Sequence, residues 1–375
     1  MMSRRYISSF WPESDGSTLT LDFTTGVLDS RLTFTRASTT ATYINSSGYV
    51  TTAGTDVPRF DHDPTTLAPR GLLIEAAATN LLNWSASFAT SGGTNNNWAD
   101  TSITRTTGQA DPANGTTAIR FTASAGNATV ISSAAIGTSA ARTFSVWLRR
   151  VTGTGNIQYT QNNGTNWTTQ AITATWTRYT FTHTVDHRVG IRIVTSGDAI
   201  EMWGAQLETG SGASSYIPTG ASTATRNPDN CELLNLTTMG FNASAGTIYV
   251  DTGTRIGTGG RSYSFMPTSG INDQIFEGNG FLLNVYSSGT FVAQIGTGTA
   301  SAAKIAAAYA VNDYAVSVNG GAPSTDTAGA LPTTIAKLTI GARDSSSVTQ
   351  MNGCIRVFKY WPTRLPNAQL QSLTT

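Results

Sequence analysis

Charge is scarce in this chain: of 375 residues, only 12% are Asp, Glu, Lys or Arg, about half the usual share. The 23 basic and 22 acidic residues cancel to a net +1. Neither sign forms a block that could track a phosphate backbone or an anionic bilayer, so nucleic-acid binding is not expected. Long apolar runs are missing too. None reaches the roughly 20 residues that span a bilayer, and residues 1–16 carry Arg4 and Arg5 with no apolar segment behind them. Neither membrane insertion nor a Sec-type signal is expected. Two cysteines, Cys231 and Cys354, are too few to staple a chain of this length, and their separation suits neither a thiol redox motif nor a zinc knuckle. Both are read as free and buried. Three histidines, His62, His183 and His187, leave little material for a Ser or Cys nucleophile with its base, and none sits in a nucleophile motif.

Polarity comes instead from Thr, Ser, Asn and 37 Gly, residues that favour strands and turns. With 39% hydrophobic residues, including eight Trp, twelve Tyr and fourteen Phe, disorder is excluded. The length predicts more than one core. In Thr143-Phe144-Ser145-Val146-Trp147-Leu148-Arg149, alternation places Phe144, Val146 and Leu148 on one face and Trp147 on the other. Tyr179 and Phe181 oppose Arg178, and Ile191 and Ile193 oppose Arg192, with turns such as Asn162-Asn163-Gly164 between the runs. The fold class expected is all-β: an N-terminal extended arm over 1–79, a jelly-roll sandwich over 80–225, a second sandwich over 226–375, and a short C-terminal helix from Pro366. Residues 209–220, rich in Gly and Ser, read as a linker. The Ala-rich stretch 301–310 is compatible with helix or strand.

Two strings carry a resemblance. The first is Pro58-Arg59-Phe60-Asp61-His62-Asp63-Pro64 with Arg70-Gly71-Leu72-Leu73-Ile74-Glu75 and Thr79-Asn80-Leu81-Leu82; the second is Trp203-Gly204-Ala205-Gln206-Leu207-Glu208 with Ser215-Tyr216-Ile217-Pro218-Thr219 and Thr225-Arg226. Both resemble segments of phage virion proteins of the tail-fibre and head-fibre kind, in which the latter string is similar to the end of a jelly roll of the carbohydrate-binding-module type. The last third, with Leu338-Thr339-Ile340-Gly341 and Asn352-Gly353-Cys354-Ile355-Arg356, resembles concanavalin A-like or laminin G-like domains. The resemblance implies a virion surface protein (fibre, spike or decoration) assembled in the host cytoplasm. It also implies contacts with other virion proteins, a homo-oligomer that is trimeric by analogy, and binding of host surface polysaccharide. The alternative is a purely structural adaptor.

Catalysis is not expected. Glu201 and Glu208 lie seven apart on one strand, roughly 23 Å, and on opposite faces by parity, so they cannot flank one sugar ring. A polysaccharide-degrading site would have to be assembled from distant residues. No cofactor is expected. Asp56, Asp61 and Asp63 with His62 form the densest carboxylate group in the chain and are the candidates for a structural Ca²⁺, with a hydrogen-bonded turn before Pro64 the favoured reading. His183 and His187 flank Asp186 at what reads as a hairpin tip. Sugar binding needs flat apolar faces and neutral amides, and residues 158–176 supply both: Gln158, Tyr159, Gln161, Asn162, Asn163, Asn166, Trp167 and Trp176. Trp98, after Asn95-Asn96-Asn97, has similar standing. Trp167, just past an Asn-Gly turn, is the expected stacking platform, with Asn163, Asn166, Gln161 and Tyr159 around it.

Overall fold

The computed structural model describes residues 15–88, 98–132, 141–183, 188–256, 260–278, 280–296, 303–343 and 349–375. Strands make up 48% of the described residues and helix 4%. The chain is all-β, built of packed sheets with one short C-terminal helix, as composition and alternation indicate. Among the described residues, no helix is long and apolar enough to cross a membrane.

One sandwich packs two five-stranded sheets. The first runs Thr177–His183, Arg142–Thr152, Ala199–Thr209, Ala118–Ala123, Ile103–Gln109; the second runs Thr168–Gln170, Ile157–Thr160, Gly190–Ile193, Ala128–Ser132, Trp98–Thr101. Phe144, Val146, Leu148, Phe181, Ile191 and Ile193 meet in its core. The alternation breaks once, in Ala199–Thr209. Ile200 and Met202 face inward, and so do Ala205 and Leu207, so parity changes across Trp203 and Gly204. Gly204 has φ +62, and a Cβ there would lie 2.8 Å from the Trp147 ring. Pairing with Arg142–Thr152 shifts register opposite this point, which is a β-bulge. The bulge corrects the parity expectation: Glu201 and Glu208 share the outer face, opposite Arg149 and Thr143.

The other sandwich packs an eight-stranded on a seven-stranded sheet. Its core joins Leu21, Leu72 and Ile74 to Ile248, Phe265, Leu338 and Phe358. The segment expected as an extended arm is therefore built into this sandwich. Leu19–Asp22 and Pro69–Ile74 pair with Gly353–Trp361, and Thr33–Thr35 pairs with Asn230–Leu233. Burial of alternate apolar residues outweighs the turn residues that suggested an arm. The chain leaves for the jelly roll through Ala78–Asn80 and returns through Ala224–Arg226, two strands that pair with each other.

Within the Ala-rich stretch, Lys304–Ala310 is a strand. Ile305, Ala307 and Tyr309 enter the core, while Ala306 and Ala308 lie under the helix Asn367–Leu373 with Leu370 and Trp361. Small side chains are needed because a helix packs over that face, so tertiary packing overrides the helix propensity of Ala. Burial of Leu370, worth about 2 kcal/mol, holds a helix of seven residues that would not persist alone.

Candidate functional site

Both sequence strings run into the joint between the sandwiches, where charge is buried. Arg59 Nη1 donates to Glu75 Oε2 (2.7 Å), Thr42 O (2.8 Å) and Ser215 Oγ (2.8 Å), and Nη2 donates to Asp229 Oδ2 (2.5 Å). Arg36 Nη1 reaches the other Asp229 oxygen at 3.1 Å. Arg226 Nη1 lies 3.2 Å from Glu75 and donates to Ser214 Oγ and Ser215 Oγ. Glu208 accepts from the Ser214 N–H and from Gln206 Nε2, and Asn80 Nδ2 donates to Ile217 O and Ala205 O. Three guanidiniums thus meet two carboxylates, Glu75 and Asp229, out of water, while Glu208 beside them is held by neutral donors, so each charge is bonded, as burial requires. The stretch 209–220, expected as a linker, is fixed here: Ser214, Tyr216 and Ile217 are buried, with Ser214 donating to Glu208, Ser215 to Glu75 and the Ile217 N–H to Gln206 Oε1.

Burial would raise the Glu75 pKa, but Arg226 and Arg59 outweigh it and hold it at about 2, below the ordinary 4.5. A depressed carboxylate contributes stability that is complete above the unfolded value and lost as pH falls toward the folded one. The joint should therefore weaken between about pH 4.5 and 2. Burial pushes Asp61 the other way, upward, which opposes the trend, so the Glu75 share is read as a difference. Urea midpoints of the parent should fall across that window, and Glu75→Gln should flatten the fall. An identical slope in both would refute the assignment.

Beside this network a groove of about 820 Å³ opens between the outer face of the jelly roll and the other sandwich. The hairpin Ala41–Ile44 and Val50–Ala53 supplies Tyr43 and Tyr49, the strands Phe60–His62 and Pro69–Ile74 supply Asp61 and Arg70, and the jelly roll supplies Trp176 and Arg178. Its floor is firm. Trp147, Trp203 and Tyr216 pack with ring centroids 4.9 to 5.5 Å apart, the Trp203 indole donates to Thr117 Oγ1 at 2.9 Å, and Tyr216 Oη bonds Ser85 Oγ at 2.6 Å. Arg178 lies 4.6 Å over the Trp147 ring. Arg149, tied to Glu201, lies 4.8 Å from the Trp176 ring centroid, and the Trp176 Nε1 is buried with no partner.

The residues singled out by sequence are scattered. Trp167 is half-buried, with the Arg192 guanidinium 4.5 Å from its ring centroid and Gly164 at its edge; Gln158 in turn holds Arg192. Asn163 sits exposed in the turn at φ +58, and exposed Asn166 donates its N–H to Asn162. Tyr159 stacks on Phe181 at 3.7 Å, and Gln161 is buried with its amide on Phe181 O. Trp98 corrects the expectation of a loop platform: it is fully buried, edge-on to Phe88 at 5.1 Å, because its strand turns the indole inward. Asn95, Asn96 and Asn97 lie outside the described residues, as do Asp186 and His187.

The three aspartates considered for Ca²⁺ are held by protein donors. Asp56 caps the Arg36 N–H, Asp61 accepts from the Ile44 N–H, and Asp63 takes Thr65, Thr66 and Arg70. No group of three or more His, Cys, Asp or Glu among the described residues is placed to hold a metal ion. Cys231 and Cys354 are buried free thiols. Sequence reasoning missed Tyr43, Tyr49 and Arg178 as one lining; the signal available was the pair of strings, whose residues come from both sides of the joint.

No protein-family model matches the chain, and no curated protein matches it. Among solved structures it is similar to domain 4 of an extracellular GH43 arabinanase from Geobacillus stearothermophilus, in complex with arabinotriose (15% identity over 44% of this chain and 84% of that one, TM-score 0.29). It is also similar to the tandem CBM22 domains of Xyn10C from Paenibacillus barcinonensis (10%, 76% and 97%, TM-score 0.26) and to Trypanosoma rangeli sialidase in complex with sialic acid (9%, 77% and 55%, TM-score 0.30). None of the three is a phage protein. At these scores the likeness assigns no activity, and the expectation that the chain is not an enzyme is withdrawn.

Proposed function

We propose that the chain is a glycan-binding surface protein of a phage virion and that host polysaccharide lies in the groove between its sandwiches. The groove carries this reading. Its volume of about 820 Å³ suits a short run of sugar rings, and Tyr43, Tyr49 and Trp176 offer ring faces beside guanidinium and carboxylate groups for hydroxyls. The virion part of the reading is supported by the two strings and their resemblance to fibre and spike proteins. It brings contacts with other virion proteins and a trimer by analogy; light scattering should then give three chain masses, and a monomer would count against it.

Glycan-array retention, followed by titration of the retained glycan, tests the binding. Tyr49→Ala and Trp176→Ala should each lower affinity by about tenfold, the worth of a lost stacking face. Melting should change little for Tyr49, which is 39% exposed. Trp167→Ala should leave binding unchanged. Should it alone abolish binding, the site lies at that turn. Retention of no glycan at all would favour the other reading, a structural spacer, which the buried ion network at the joint supports by making the two sandwiches one stiff body.

A further inference from the structure

The charges lining the groove are not balanced in their hydrogen bonding. Each carboxylate there is already supplied with donors. Glu75 takes Arg59, Arg226 and Ser215. Asp111 accepts the N–H groups of Ala113, Gly115 and Thr117 and the Thr117 hydroxyl. Asp61 has the Ile44 N–H at 2.7 Å and Arg70 at 3.5 Å. The guanidiniums are different. Arg178 donates to Ser214 O at 2.7 Å and Ser145 Oγ at 2.9 Å, its Nε has no partner, and no carboxylate of the described residues pairs with it. Burial accordingly pulls its pKa below the usual guanidinium value, with Glu208 and Glu75 only partly opposing. Arg356 spends Nε and Nη2 on Asp251 and the Thr252 carbonyl and leaves Nη1 without a partner among the described residues. Arg70, its side chain 45% exposed, holds Asp63 through Nη2.

From this surplus of donors we infer that the groove selects a glycan bearing carboxylates, a uronate or similar acidic sugar, whose anionic group docks against Arg178 and Arg70. This rests on the groove being the glycan site. A half-buried cation whose hydrogen-bond partners are all neutral, as Arg178 is, gains most from a carboxylate, whose two oxygens match the guanidinium fork. A neutral sugar would leave the Arg178 donors on carbonyl and hydroxyl partners alone, while the exposed Arg70, which already holds Asp63, adds positive charge beside them.

The test compares carboxylate-bearing oligosaccharides, oligogalacturonate among them, with the same glycans after methyl esterification, by titration of the full chain at low and moderate salt. Acidic forms should bind at least about tenfold more tightly than their esters, with the margin shrinking as salt rises. Arg178→Gln and Arg70→Gln should each remove most of that margin, read as the ratio of acid to ester affinity within each variant. Since Arg178 packs on Trp147, the exposed Arg70 supplies the variant expected to fold normally, and Arg178→Lys, keeping the charge without the fork, should recover part of the margin. Equal binding of acid and ester would overturn the inference and leave the glycan site standing. Binding of neither, with Tyr49→Ala silent as well, would overturn the site and the inference together.

Discussion

Arg59→Ala should destabilise the chain by about 3 to 5 kcal/mol, the range for removing one partner from a buried ion pair. The reason lies in what stays behind. Arg59 is fully buried and donates to Glu75, Asp229, Ser215 and the Thr42 carbonyl, so its loss strands two carboxylates and a backbone acceptor out of water. Arg36 and Arg226 remain, each bound to one of those acids, which sets the estimate within the range rather than above it. Both acids flank strands of the larger sandwich, whereas Ser215 lies on the segment that follows the jelly-roll strand Ala199–Thr209, so the damage should be shared: amide exchange should rise at 41–44, 75 and 214–217 while the jelly-roll strand Ala128–Ser132 keeps its protection. The double variant Arg59→Ala with Glu75→Gln should recover part of the loss, as it removes one of the stranded charges. Arg70→Ala, an exposed pair, should fall within about 1 kcal/mol of the parent. If Arg59→Ala were equally mild, the joint would be wet and the network of little weight.

The comparison of sequence with structure divides along one physical line. Alternation was readable wherever one face of a strand meets a core: Phe144, Val146 and Leu148 point inward as their period of two dictates. Parity failed at Gly204, where a left-handed residue inserts one position and turns Glu208 to the side of Glu201. Local pattern also could not say what packs over a face. The alanines at 306 and 308 have helical propensity, but the C-terminal helix lies on them and holds them in a strand; Trp98 follows a polar run, but its strand faces inward. The groove was least legible because no single segment forms it. The strings around Arg59, Glu75, Glu208, Ser215 and Arg226 were visible as strings, but their purpose is a contact between residues 140 or more apart, such as Glu75 with Ser215. Charge scarcity was the missed clue: in a chain with few ionisable residues, motifs that concentrate Arg, Asp and Glu beside Leu and Ile point to a buried network rather than to a solvated arm.

Gly71→Ala should be the most damaging single methyl in the first string. Gly71 has φ +95, and a Cβ built there falls 2.0 Å from the Ile355 carbonyl oxygen and 2.9 Å from the Arg356 Cα. The obstruction is backbone on the neighbouring strand, so no rotamer change relieves it. The conformation alone disfavours an L residue by about 1 to 2 kcal/mol, and separating the strands adds about 1 to 3 more. Pro69–Ile74 lies between Phe60–His62 and Gly353–Trp361 and delivers Leu72 and Ile74 to the core, so the strain spreads through three strands. Asp61 faces Gly71 across the ladder and lines the groove with Arg70. Two readouts should therefore move together: protection of amides 70–74 and 353–357 should drop while that of Arg142–Thr152 holds, and glycan affinity should fall though no groove side chain has been removed. Loss of protection with unchanged affinity would separate the groove from this strand and return the binding site to the jelly roll alone.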